Sequence, residues 1–241
     1  MLECTGVFRS RDKAALHLAA GAKRVLISAP GKDVDHTIVY GVNHTTLKPS
    51  HHIVSNASCT TNCLAPLAHV LHDSFGIKRG FMTTIHSYTA SQNVLDRGHK
   101  DPRRARAAAE NIIPTTTGAA SAVGLVLTAL AGKLDGMSVR VPTPNVSAID
   151  FTFETARAMT SETITAAVSA AANGPLAGIL GISTAPLVSR DFNHNPLSCV
   201  LDADQTRVLD STMGRVLAWY DNEWGFSNRM LDTATAMARL L

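Results

Sequence analysis

Long strand candidates crowd the later part of the chain, and only a large sheet can absorb them. Gly80–Tyr88, Met137–Val141, Val146–Glu154, Pro196–Leu201 and Arg215–Tyr220 all read as strands, and Ile149, Phe151 and Phe153 alternate within one of them. A period of two predicts a sheet with one face covered and the other less so, the habit of antiparallel pairing. Helices are expected near Ala119–Leu130, over Ser161–Asn173, and from about Gly225 to Leu241, where Met230, Ala234, Met237 and Leu241 recur at helical spacing.

Before Phe75 the pattern differs. Leu2 to Gly6 reads as the end of a buried strand, and Ser10 offers an N-cap to a helix closed by Gly21. Arg24–Ser28, Thr37–Gly41 and His52–Ser55 are short, β-branched strand candidates, and a helix follows from Cys59 to about Phe75. Short strands interleaved with a helix look like the tail of a doubly wound unit. The expected class is therefore α/β plus α+β, divided into residues 1–58, 59–222 and a final helix over 223–241.

Composition narrows the class of partner. Apolar residues make up 45% and charged residues 17% of the 241, the profile of a soluble globular protein. A net charge of +3 suits small anions and is too weak alone to imply nucleic acid. No apolar run approaches the roughly 18 residues of a membrane span. Glu3, Arg9, Arg11 and Asp12 break up any signal-like stretch, and four cysteines do not make a secreted disulfide framework, so a cytoplasmic location is expected.

One segment carries chemistry on its face. In Ser55-Asn56-Ala57-Ser58-Cys59-Thr60-Thr61-Asn62-Cys63 a cysteine follows a strand and opens a helix. Unpaired N–H groups and the positive helix end favour a thiolate there, and a thiolate is the nucleophile. The same cysteine also fits a small buried core residue, or a Cys59/Cys63 metal pair. The metal reading lacks a second Cys/His pair nearby, so no metal is expected. Cys59 is expected to be the most reactive thiol, since Cys4, Cys63 and Cys199 lie in apolar stretches.

That nine-residue segment resembles the active-site signature of the glyceraldehyde-3-phosphate dehydrogenase family. Thr84-Ile85-His86-Ser87-Tyr88-Thr89, Arg103-Arg104-Ala105-Arg106, Thr115-Thr116-Thr117-Gly118-Ala119-Ala120, Arg140-Val141-Pro142-Thr143-Pro144-Asn145-Val146 and Trp219-Tyr220-Asp221-Asn222-Glu223 continue the resemblance in family order. It implies that residues 1–58 are the last part of a Rossmann NAD-binding domain. Residues 59–222 would form an antiparallel-sheet catalytic domain, and 223–241 a helix packing back on the first. It implies Cys59 as nucleophile and His86 as general base, the imidazolium also stabilising the thiolate. Thr89 and Arg140 would hold the substrate phosphate, and Ser58, Thr60, Arg104, Thr117 and Gly118 the inorganic phosphate. Asn222, Thr5 and Gly6 would flank the nicotinamide of NAD, with NADP not excluded.

The implied partners are glyceraldehyde 3-phosphate and inorganic phosphate, in a homotetramer. The basic run His99 to Arg106 is then an anion and subunit contact rather than a nucleic-acid site, having no interleaved aromatics. Arg97-Gly98 stands where NAD-dependent relatives commonly have Leu-Pro, and Ser121 where many have Lys. No Gly-x-Gly-x-x-Gly follows a strand, so the missing βαβ units are expected before Leu2 in an N-terminally truncated chain with little cofactor affinity of its own. Two rival readings remain. Asp191–Pro196 and Gln205–Arg207 resemble segments of erythrose-4-phosphate dehydrogenase, although an intact Thr115–Gly118 favours phosphorolysis. The other is an inactive fragment serving only subunit association.

Overall fold

A computed structural model describes residues 1–240. Two sheets organise them. The first is small and parallel, in the order β1 (Leu2–Glu3), β2 (Val25–Ile27), β4 (Ile53–Ser55), β3 (His36–Thr37). Its register aligns Glu3, Ile27 and Ser55, so the C-terminal ends of three strands meet at one edge. Helix α1 (Arg11–Ala19) covers one side, where Ala14 packs with Val25, Ile27 and Ile53. On the other side Met230 and Met237 of α5 (Trp224–Ala238) pack against Leu26, Ile38 and Val54. Leu241, the end of the expected final helix, lies outside the described residues.

The second sheet has seven strands in the order β6 (Ile113–Thr116), β7 (Leu134–Val141), β5 (Ile77–Ser87), β8 (Ser147–Thr155), β11 (Met213–Tyr220), β10 (Cys199–Leu209), β9 (Leu180–Ser183). It is mainly antiparallel, as the alternation suggests, but β5–β7 and β9–β10 run parallel. Helices α2 (Cys59–Phe75), α3 (Ala119–Val126) and α4 (Ser161–Ala172) cover one face, with Leu64, Leu67, Leu71, Phe151 and Phe153 in the shared core. Gly80 is required there, because a Cβ would sit 2.6 Å from the Phe151 ring. The opposite face is open, with Phe81, Ile85 and Met213 exposed.

Three expectations are adjusted. Of Thr37–Gly41 only Thr37 is strand: Ile38 and Val39 are irregular backbone buried as core, and Tyr40 and Gly41, the latter at φ +88°, form a turn. Strands β6 and β9, four residues each at the sheet's two edges, carry no alternation long enough to announce them. Ser10 stands before α1 but its side chain makes no capping bond.

Candidate active site

Cys59 owes its position to the junction between the two sheets. Strand β4 ends at Ser55, whose hydroxyl donates to Ala29 O (2.7 Å) and accepts from the N–H groups of Gly31 and Ala57. Ala57 takes φ +57°, a left-handed conformation costing about 1–2 kcal/mol without glycine. It turns the chain so that Ser58 caps α2, accepting from Thr61 N at 3.0 Å. Cys59 is thus the first helical residue, and its N–H and that of Thr60 have no acceptor within the helix.

His86 reaches Cys59 from the end of β5, with Nε2 3.6 Å from Sγ. Its Nδ1 lies 2.7 Å from Ser87 O and 2.9 Å from Arg140 Nη1. One ring nitrogen cannot donate to a carbonyl and accept from a guanidinium at once. When Nδ1 carries the proton and donates to Ser87 O, Nε2 presents a lone pair to the thiol. Burial and then the Arg140 charge lower the His86 pKa to about 4. Burial raises the Cys59 thiol, against the Thr60 hydrogen bond and the Arg140 charge. Both shifts favour the neutral thiol and the neutral imidazole over the expected thiolate–imidazolium pair. The ion pair would place opposite charges in a half-dry site where Arg140 already repels a second cation.

The motif reading gave no role to Tyr220. Its buried hydroxyl sits 2.8 Å from Thr60 Oγ1 and 2.9 Å from Thr84 Oγ1, tying the nucleophile's helix to the base's strand. Burial holds its pKa well above the ordinary range, so it acts as a neutral hydrogen-bonding group. The only sequence signal was its place in the Trp219–Glu223 segment.

The anion-site residues divide by availability. Thr60 has its hydroxyl committed to Tyr220, leaving its backbone N–H for a ligand. The Ser58 hydroxyl is engaged with Thr61 Oγ1 at 2.7 Å. Thr117 accepts from Ala119 N, and Gly118 beside it is exposed at the start of α3. Arg104 donates to Ser91 Oγ (3.3 Å), which lies 3.0 Å from Thr89 Oγ1. Arg104 and Thr89, expected in different sites, are thereby one hydroxyl apart, and the Arg104 charge also bears on Arg140 and His86.

Asn222 is buried just after β11, and its Oδ1 accepts from Ser87 Oγ (2.8 Å) and Ser147 Oγ (3.1 Å). Thr5 and Gly6 are exposed beyond β1, at the edge where β4 also ends, so they leave the small sheet on the Cys59 side. Ligands of parallel sheets bind at such carboxyl ends. Cys63 and Cys199 are buried, but Cys4 is exposed, so accessibility does not set Cys59 apart from Cys4 as expected. Among the described residues no group of three or more His, Cys, Asp or Glu could hold a metal, and no helix is long and apolar enough to cross a membrane.

Known proteins resemble this sequence. Residues 58–222 match the family described as glyceraldehyde 3-phosphate dehydrogenase, C-terminal domain. The chain is 64% identical over 240 residues to glyceraldehyde-3-phosphate dehydrogenase of Cereibacter sphaeroides, covering 100% of this chain and 72% of the relative. It is 65% identical over 239 residues to the enzyme of that name from Xanthobacter flavus, covering 99% and 71%. For the Geobacillus stearothermophilus relative of that name the figures are 59% over 239 residues, 99% and 71%. With the Cys59–His86 pair and the signature segments in place, the chain belongs to the glyceraldehyde-3-phosphate dehydrogenase family.

Proposed function

We propose that this chain carries the catalytic groups for NAD(P)-dependent oxidation and phosphorylation of glyceraldehyde 3-phosphate, with NAD as the cofactor. The observation that carries it is the approach of Cys59 Sγ to His86 Nε2 at 3.6 Å, at a helix start flanked by arginine and free N–H groups. Cys59 passes its proton to His86 and bonds to the aldehyde carbon, while its own N–H faces the oxygen that gains charge. His86 returns that proton to the oxygen to complete the hemithioacetal, then takes it back as hydride leaves and the thioester forms on Sγ. A bound nicotinamide supplies the hydride acceptor. Arg140 and Thr89 hold the substrate phosphate; Arg104, Thr117, Gly118, Ser58 and the Thr60 N–H hold the phosphate that displaces Cys59 and yields the acyl phosphate.

The donor set fits the nicotinamide end of the cofactor. The Asn222 oxygen is satisfied by two serines, so its N–H side, which has Glu223 Oε1 at 3.2 Å for one hydrogen, is the side left to meet a cofactor. The intact Thr115–Gly118 segment favours phosphorolysis over hydrolysis of the thioester. The family resemblance further supports a cytoplasmic homotetramer, in keeping with four free cysteines.

The test is reduced-cofactor formation from glyceraldehyde 3-phosphate, at cofactor in large excess to offset the expected weak affinity, with and without inorganic phosphate. Phosphate-dependent turnover that Cys59→Ser abolishes is expected. Turnover with erythrose 4-phosphate that ignores phosphate would overturn the reading. Within it, Arg140→Leu is expected to raise the KM for aldehyde about tenfold and Thr117→Ala that for phosphate, since a charge-assisted bond contributes about 1.5–3 kcal/mol. Arg104→Leu is expected to raise both.

A further inference from the structure

Ser87, Ser147 and Asn222 form a buried triangle, all three at most 4% exposed. The Ser147 hydroxyl oxygen accepts from Ser87 N at 3.1 Å, so its own hydrogen is free to donate to Asn222 Oδ1, as the Ser87 hydroxyl does. Asn222 Nδ2 has the Glu223 carboxylate at 3.2 Å for one hydrogen. Two donors on one end and an acceptor on the other fix which way the amide points.

The backbone around the triangle is held for this purpose. Val146, just before Ser147, takes φ +68°, where a β-branched residue is a genuine outlier. It is held by packing with Phe192 and Val200. Asp221, just before Asn222, is buried and accepts from Asn145 Nδ2 (2.9 Å), His194 N (2.8 Å), Glu223 N (3.0 Å) and Trp224 N (2.8 Å). Both chain segments are pinned before the side chains meet. Backbone strain of this kind persists only where its surroundings over-determine it.

We infer that Ser87 and Ser147 are positioning residues that lock the Asn222 amide as a hydrogen-bond donor, so that the cofactor is recognised through the carbonyl oxygen of its nicotinamide substituent rather than through its amino group. The inference rests on the proposed cofactor role of Asn222. It makes a chemical distinction a merely structural role would not. A locked donor binds any pyridine dinucleotide that keeps the carbonyl, whether or not an amino group accompanies it. An unlocked amide can flip and present oxygen, which accepts from the carboxamide amino group of NAD but finds no donor on the 3-acetylpyridine analogue.

The experiment measures Kd for NAD and for 3-acetylpyridine adenine dinucleotide by calorimetry carried to roughly millimolar ligand, the range that the expected weak affinity of the chain requires, on the parent protein, Ser147→Ala, Ser87→Ala and Asn222→Asp. The parent is expected to bind the two within about twofold. Each serine variant is expected to weaken the analogue about fivefold more than NAD, the worth of roughly one hydrogen bond. Asn222→Asp keeps the serine donors satisfied but offers no outward donor, and is expected to weaken both at least tenfold. Thermal unfolding of the variants reports folding separately. Equal weakening of both ligands in the serine variants, or no change, overturns the inference alone. A parent that binds neither dinucleotide overturns the cofactor reading and the inference with it.

Discussion

The two sheets are built on different economies of contact. Strands of the small parallel sheet are two or three residues long and lean on α1 and α5 for cover. The large sheet has strands of up to eleven residues and three helices on one face. Sheet size sets how much apolar area each region removes from water, so the large sheet stands on its own core and the small one depends on its neighbours. The reacting pair is drawn from the self-sufficient side: Cys59 opens the helix lying on the large sheet, and His86 ends its longest class of strand.

The sharpest break of the comparison is chemical. His86→Asn is expected to lower turnover about 10²- to 10⁴-fold while leaving the large sheet folded, the usual worth of a general base. A loss of folding in that variant, seen by circular dichroism, would remove the distinction between catalytic and structural roles at this position. Next comes packing. Phe151→Ala is expected to cost about 3–5 kcal/mol and lower the main unfolding transition, whereas Leu26→Ala, about 2–5 kcal/mol, is expected to open the small sheet first. Hydrogen exchange resolved by peptide checks this: β2 and β4 should lose protection in Leu26→Ala while β5 and β8 keep theirs. Uniform loss would mean the two regions unfold as one.

A smaller effect follows pH. His86 is neutral when folded, with its pKa lowered to about 4 by burial and Arg140. An unfolded histidine, near 6.5, takes up a proton that the folded one refuses, so stability falls as pH drops through that window. The loss is roughly 2 kcal/mol between pH 7 and pH 5. Denaturant midpoints for the parent and His86→Gln should differ in slope over this range, and parallel slopes would place the titrating group elsewhere. Smallest of all is Ala57→Gly. Relief of the left-handed φ is worth up to about 1 kcal/mol, partly cancelled by the extra freedom of the unfolded glycine. Slower alkylation of Cys59 at unchanged stability would show that the strain serves to aim the thiol.

Much of this was legible beforehand, for identifiable reasons. Helix α2 runs over the expected Cys59–Phe75, and the structure shows what bounds it: Ser58 caps its start and Gly76, in left-handed geometry, ends it. Strands β5, β8 and β11 were long enough to show their alternation. Edge strands β6 and β9 were not, and Thr37–Gly41 misled because β-branched residues serve buried irregular backbone as well as a strand. At the site, motif position identified Cys59, His86 and Arg140. It could not show that Arg140 faces His86 itself, or that Arg104 reaches Thr89 through Ser91, since those contacts join residues 54 and 13 positions apart.

The hydroxyls around Tyr220 have a direction as well as a position. Thr84 gives its hydrogen to Ala148 O, at 3.2 Å, so its oxygen is left to receive from Tyr220, and Tyr220 in turn receives from Thr60. A main-chain carbonyl terminates the row, and a carbonyl has no proton to hand on. Current in this wire would therefore stop at a closed end: a proton entering from the Cys59 side would have nowhere to go. The thiol is left with one outlet, the imidazole, and every proton moved in substrate activation passes through His86.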